Sequence, residues 1–258
     1  MFARLLILFY AVVSYAVFLL SFGWALGFVG NYSQLAAKTI DSGAPGNLAE
    51  AVVTDVLLLA AFGIQHSIMA RPTFKRWFTR VIPAAAERST YVLLSSLMLL
   101  LLFWQWRPIP TPVWHAEGLV ANVLTGVHWL GWSIALASTY MIDHFDLFGL
   151  RQAIHAVRGA EPTAHPFRTP LLYRLVRHPL MLGFLLAFWA TPEMTVGHLL
   201  FAALNTAYIL VGLWFEERDL IVQFGAAYQH YRQRVPMLLP LLTGRRMADP
   251  DTEARRAP

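Results

Sequence analysis

Six apolar runs, at residues 5–28, 51–64, 91–106, 120–142, 180–190 and 196–215, leave this chain few ways to fold in water. A helix crossing the hydrocarbon core takes about 20 apolar residues, and in lipid only helices or closed barrels satisfy their own backbone polar groups. The runs predict an all-α fold, a polytopic membrane helical bundle with six spanning helices, or five if residues 180–190 do not span. That stretch is short, so its helix is expected to tilt, to kink at Pro179, or to begin earlier at Leu171. Charged residues make up 14% of the chain, against roughly 25% in a soluble domain. The first run is longer than the 7–15 residues of a signal-peptide core, so it is expected to remain as a helix. No internal repeat or second domain stands out, and residues 1–258 are read as a single membrane domain.

Charge sets the expected orientation. Eighteen of the twenty Lys and Arg residues fall in alternate segments, around residue 4 and within 71–88, 151–177 and 218–256. This asymmetry predicts both termini in the cytoplasm and a multi-pass protein of the cytoplasmic (inner) membrane. The net charge of +5 then reports topology and contact with anionic membrane lipid, not nucleic acid. The chain has no cysteine, which removes disulfides, thiolate catalysis and iron–sulfur ligation. Its nine histidines are scattered, no two of them three or four apart, so no metal site is expected. Phosphate-cradling glycine loops are also absent, so nucleotide phosphates are not expected.

Polar groups gather in three places on the basic side. In "STYMIDHFDLFGLRQ", Asp143 and Asp146 are three apart and share a face if helical, with His144 between them and Gly149 at the expected helix end. A carboxylate beside an imidazole suits a general base, or these residues cap a helix at the interface. In "HPFRTPLLYRLVRHPLM", Leu171, Leu172, Leu175 and Val176 form a stripe that predicts a short surface helix before a span opening at Pro179. Proline suits that first turn, and free backbone donors there attract an anion. Arg174 and Arg177 serve that anion, or simply anchor the helix. In "WFEERDLIVQFGAAYQHYRQRVPMLLP", Glu216 and Glu217 sit at the membrane edge, where a carboxylate is costly and needs a partner. Arg177 or a cationic ligand could be that partner. The helix is expected to run through Gln223 and end at Gly225, with Tyr228, Tyr231 and Arg232 returning toward the same surface.

Taken together, "RHPLMLG" and "EERDLIVQFGAAYQHYRQRVP" resemble the C-terminal signature of the integral-membrane methyltransferases related to isoprenylcysteine carboxyl methyltransferase and phospholipid methyltransferase. That pattern is R-H-P-x-x-x-G, then E-E-x-x-L-x-x-x-F-G-x-x-Y-x-x-Y-x-x-x-V-P, and every fixed letter is present. "QHSIMARPTFKRW", "ERSTYVLLSSL" and "HFDLFGLRQ" are similar to a narrower branch, the membrane-bound methanethiol S-methyltransferases and their NnrU-like relatives.

The resemblance implies S-adenosyl-L-methionine bound at the cytoplasmic edge. It implies contact from His178, Pro179, Leu180 and Met181, with Tyr173, Arg177 and Tyr228 nearby and Glu216 and Glu217 as anchors. His165, Pro166, Phe167 and Arg168 would complete the pocket. It further implies a small thiol substrate, methanethiol going to dimethyl sulfide; a simple thiol is mostly protonated at neutral pH, and Asp146 or His144 is the candidate base for it. A lipid or prenylcysteine acceptor and a non-catalytic NnrU-like role are the alternatives; Met181, where isoprenylcysteine enzymes often carry tyrosine, speaks against a prenyl substrate. Residues 1–154 are then expected to form the acceptor side, 155–240 the cofactor half, and 241–258 a flexible cytoplasmic tail.

Overall fold

The computed structural model describes residues 1–160 and 167–240; the expected tail, and His165 and Pro166, lie outside them. Helix α1, Phe2–Val29, runs the length of the bundle and ends where the chain turns at Gly30. Helix α2, Leu48–Ala70, starts at Asn47, whose side-chain oxygen accepts from the N–H groups of Ala49 and Glu50. Pro72 ends α2 by forcing Arg71 into an extended conformation, and at the same time opens α3, Pro72–Phe78. Helix α4, Ala84–Gln105, leads to strand β1, Pro112–His115. Helix α5, Gly118–Ile142, is followed by the single turn α6, His144–Leu147, and by α7, Leu150–Arg158. A 3₁₀ turn, Leu171–Arg174, precedes α8, Pro179–Trp189. Strand β2, Glu193–Thr195, helix α9, Val196–Phe224, and helix α10, Ala226–Arg234, complete the described chain.

Among the described residues five helices, α1, α2, α4, α5 and α9, are long and apolar enough to cross a membrane. The sixth apolar run makes only the 11 residues of α8, about 16 Å at 1.5 Å per residue, half of a hydrocarbon core. The chain nevertheless traverses the bundle there. At one end the Arg177 and His178 N–H groups donate to Pro236 and Met237; at the other, the Thr195 hydroxyl donates to Asp41 at 2.6 Å. Between them, α8 covers part of the way and extended residues 190–195 cover the rest. The backbone of that extended part is sheltered: Ala116 N–H donates to Pro192, and β2 pairs antiparallel with β1.

The ends of the bundle differ sharply in chemistry. At the end opposite the basic loops, Lys38 Nζ donates to the carbonyls of Trp104 and Trp106, which α4 leaves unpaired where it stops. Beneath lies an aromatic core of Phe28, Phe103, Trp106, Trp132, Phe188 and Phe201. At the basic end Arg88 Nε donates to Leu147 O, and Arg71 pairs with Asp219 at 3.1 Å. Helix α7 lies along this end, with Leu150 and Ala153 buried beside Ala11 of α1 and Arg151 and Arg158 outward.

Helices α5 and α8 touch backbone to backbone. A Cβ on Gly183 would stand 2.6 Å from Ala135 N and Gly131 O, and one on Gly131 would meet Ala187 N and Gly183 O at the same distance. Small residues at such a crossing are what lets membrane helices pack without hydrophobic drive. Gly183→Ala is therefore expected to cost about 1–3 kcal/mol through overpacking and to lower the thermal midpoint in detergent. Gly126→Ala, whose Cβ meets nothing within 4 Å, serves as the unaffected control.

Candidate active site

The site begins where α8 starts and α9 ends. Arg177 and His178 arrive from the 3₁₀ turn, and Glu216 and Glu217 sit two turns before the end of α9 at Gly225, a positive-φ position suited to glycine. Neighbours on the helix, the two glutamates point different ways. Glu217 turns inward: Arg177 Nε donates to Oε1 at 2.6 Å, Arg232 Nε contacts Oε2 at 3.1 Å, and the Tyr228 hydroxyl donates to Oε1 at 3.3 Å. His178 Nε2 lies 3.3 Å from the same Oε1. Arg177 also donates to the carbonyls of Arg232 and Val235, at 3.0 and 2.7 Å. Arg177 and Glu217 side chains are each 9% exposed. The partner sought for an acidic residue at the membrane edge is thus Arg177, and the residue it serves is Glu217.

Glu216 turns the other way. Its side chain remains 47% accessible, meets His178 Nδ1 at 3.6 Å, and lines a cavity of about 580 Å³. His178 therefore stands between a buried carboxylate and one that faces open space. Leu180 and Met181, from the first turn of α8, line the same cavity. Their N–H groups fall in the turn that an α-helix cannot satisfy from within. The donors of Arg177 and His178, expected to be free for an anion, are instead taken by Pro236 and Met237.

Other expected residues support this corner. Pro179 is buried at N1 of α8, and the Phe167 ring packs 5.2, 5.9 and 5.4 Å from those of Phe224, Tyr228 and Tyr231. The Tyr231 hydroxyl donates to Tyr173 O. Burial, and then the Glu216 charge, push the Tyr173 phenol up; burial and then Glu217 do the same for Tyr228, so both remain donors. Arg168 is exposed.

The cavity continues away from the corner. His144 reaches it from α6, buried, with both ring nitrogens occupied: Nδ1 lies 2.8 Å from Thr139 Oγ1 and Nε2 2.8 Å from the Tyr15 hydroxyl. Thr139 already donates to Leu136 O, so Nδ1 carries the proton and Nε2 accepts from Tyr15. Burial pulls this imidazole below its usual range, which keeps it neutral. Asp143 and Asp146 do not share a helix face. Asp143 caps α6 by accepting from Asp146 N–H and pairs with Arg151, while Asp146 accepts from Gln152 and is not part of the lining. Residues that sequence reasoning did not single out also line the cavity: His66, Tyr91, Ser95 and Tyr208, with Arg71, Lys75 and Arg88 at the basic end. Helix α7 was likewise unforeseen, although Leu150, Ala153, Ile154 and Val157 repeat at helical spacing.

The fold and the site define a polytopic membrane helical bundle whose basic end opens into a cavity with a carboxylate at its mouth. The chain belongs to the family of the NnrU protein, whose sequence pattern matches residues 56–219. It is 69% identical to methanethiol S-methyltransferase 2 of Bradyrhizobium diazoefficiens over 249 residues, 96% of this chain and 95% of that one. It is 53% identical to the methanethiol S-methyltransferase of Mycobacterium tuberculosis, over 92% and 97% of the two chains. A more distant relative is Nurim of Bos taurus, 30% identical over 80% of this chain and 87% of that one. No solved structure matches.

Leaving Arg177 buried without its counter-charge is the severe change at this corner. Glu217→Ala is expected to destabilise the protein by about 3–5 kcal/mol, read as loss of monodisperse protein after mild heating in detergent. Arg232→Ala, which removes a half-exposed partner, is expected to cost far less.

Proposed function

We propose that this chain transfers a methyl group from S-adenosylmethionine to a small thiol, methanethiol, giving dimethyl sulfide. One observation carries the reading: Glu216, Leu180 and Met181, joined by sequence signature alone until the chain folds, face one cavity of a size ordinary for a small-molecule site. The names of the relatives that match along nearly the whole chain supply the acceptor.

The residues fit that methyl donor. Its ammonium and ribose hydroxyls call for an acceptor at the mouth, and Glu216 offers a carboxylate open to the cavity. Its carboxylate calls for donors, supplied by the first-turn N–H groups of Leu180 and Met181 with the field of the α8 N-terminus. His178, Arg177, Glu217 and Tyr228 hold these groups in place. The donor, when bound, supplies an electrophilic methyl on a sulfonium.

What remains for the protein is placement and exclusion of water. A thiolate and a sulfonium lose charge together as the methyl moves, so an apolar surrounding does not oppose the transfer. Holding sulfur and methyl in line supplies up to roughly 7–11 kcal/mol of the barrier. Phe22, Trp132, Phe184 and Phe188 wall the deeper part of the cavity and suit a small apolar acceptor. The basic end faces the cytoplasm, the side from which the donor is available, across the cytoplasmic membrane.

Glu216→Gln removes the open charge and keeps the shape. It is expected to weaken S-adenosylmethionine binding about tenfold or more by calorimetric titration, with the helical content and elution volume of the wild type. Unchanged affinity would remove Glu216 from the site. Purified wild-type protein given labelled donor and methanethiol is expected to yield labelled dimethyl sulfide, which long-chain thiols do not suppress. Orientation is checked on the naturally cysteine-free chain. Arg80→Cys is expected to react with a membrane-impermeant maleimide only in inside-out vesicles, and Ser33→Cys only in right-side-out ones.

A further inference from the structure

A thiol is mostly protonated near neutral pH, so transfer to sulfur needs a proton acceptor at the cavity. His144 has both nitrogens engaged and Asp146 is not in the lining. A second imidazole does reach the cavity, from α2. The Tyr91 hydroxyl of α4 lies 2.7 Å from His66 Nε2 and 3.2 Å from Nδ1, and Nδ1 lies 3.1 Å from Ser95 Oγ, one helical turn further on. With the Nδ1 proton given to Ser95, Nε2 is the ring nitrogen left without a proton beside the Tyr91 hydroxyl.

The surroundings of this pair are cationic. The Arg88 guanidinium stands 5.3 Å from the Tyr91 ring centroid, and Lys75 of α3 lines the same end. Burial, and then the neighbouring Arg88, pull the Lys75 amine down. The charged and titratable groups that line the cavity with His66 are Arg88 and Tyr91 from α4, Tyr208, Glu216 and Asp219 from α9, His144 from α6, and Arg71 and Lys75 beside the end of α2. Asp219 is paired with Arg71, and Arg88 is the cation set against the Tyr91 ring, with Lys75 also in the cavity lining.

We infer that Tyr91 and His66 take the proton of the acceptor thiol, and that Lys75 and Arg88 stabilise the thiolate so formed. The inference rests on the methyl-transfer reading above. The thiol proton passes to the Tyr91 oxygen as the Tyr91 proton passes to His66 Nε2, leaving an intact phenol, an imidazolium and a thiolate. A sulfur lone pair then forms the new S–CH₃ bond while the CH₃–S⁺ bond of the donor breaks, its electron pair returning to the donor sulfur. The imidazolium releases its proton to water between turnovers. Tyr91 is the catalytic residue, and His66 acts through it.

The test uses the full-length enzyme with His66→Gln and Tyr91→Phe, the latter removing a single oxygen and keeping the packed ring. Both are expected to bind S-adenosylmethionine about as tightly as the wild type by calorimetry. The turnover with methanethiol near pH 7 is expected to fall about a hundredfold, the deficit closing as pH rises toward the thiol's own ionisation. A readout free of turnover is the ultraviolet thiolate band when methanethiol is titrated into the complex with S-adenosylhomocysteine. The wild type is expected to show it near neutral pH and both variants to lose it. A deficit of the same size at every pH, or a thiolate band retained in Tyr91→Phe, overturns the inference. Failure of the wild type itself to bind the donor or make dimethyl sulfide would instead strike the methyl-transfer reading.

Discussion

The Glu217 carboxylate organises the basic end of this bundle. It draws Arg177 and His178 from the start of α8 and Tyr228 and Arg232 from α10 onto one pair of oxygens. Burying a carboxylate beside lipid is unfavourable, and only this density of donors offsets it. The geometry that results is specific. With Glu217 committed to the interior, the next side chain up the helix, Glu216, has to face the cavity, and α8 has to begin beside it. The open carboxylate and the helix mouth are thus placed by a carboxylate that is itself buried.

Much of this was legible in the chain. Apolar run lengths announced a helical membrane bundle, the end of α9 at Gly225 followed from its place after an apolar helix, and a membrane-edge carboxylate required a cation that Arg177 supplies. Three features were not legible. Which of two adjacent glutamates turns inward depends on contacts from Arg232 and Tyr228 that only the folded helix ends create. Asp143 and Asp146 looked like one helical face because the break between α5 and α6, one residue wide, leaves no mark in hydropathy. The His66–Tyr91 pair joins residues 25 apart on different helices, neither of them beside another group that would advertise chemistry.

The cavity takes its walls from both sides of residue 154. Leu180, Met181 and Glu216 lie across from His66, Tyr91 and His144, so the signature-bearing C-terminal half cannot form the site without the first helices. This agrees with the extent of the similarity to the methanethiol S-methyltransferases, which runs through nearly the whole chain. Within the cavity, polarity is graded from cations and carboxylates at one end to Phe188 and Phe201 at the other.

The shortness of α8 has a consequence for counting. A tally of long apolar helices gives an odd number, which taken alone would send the two chain ends to opposite faces. The half-length helix and the extended residues after it restore even parity, and this is why Arg4 approaches the α7 end at Gly159 while Arg232 meets Arg177 at that same face. Sidedness in this protein is therefore set by a crossing that helix length alone would overlook.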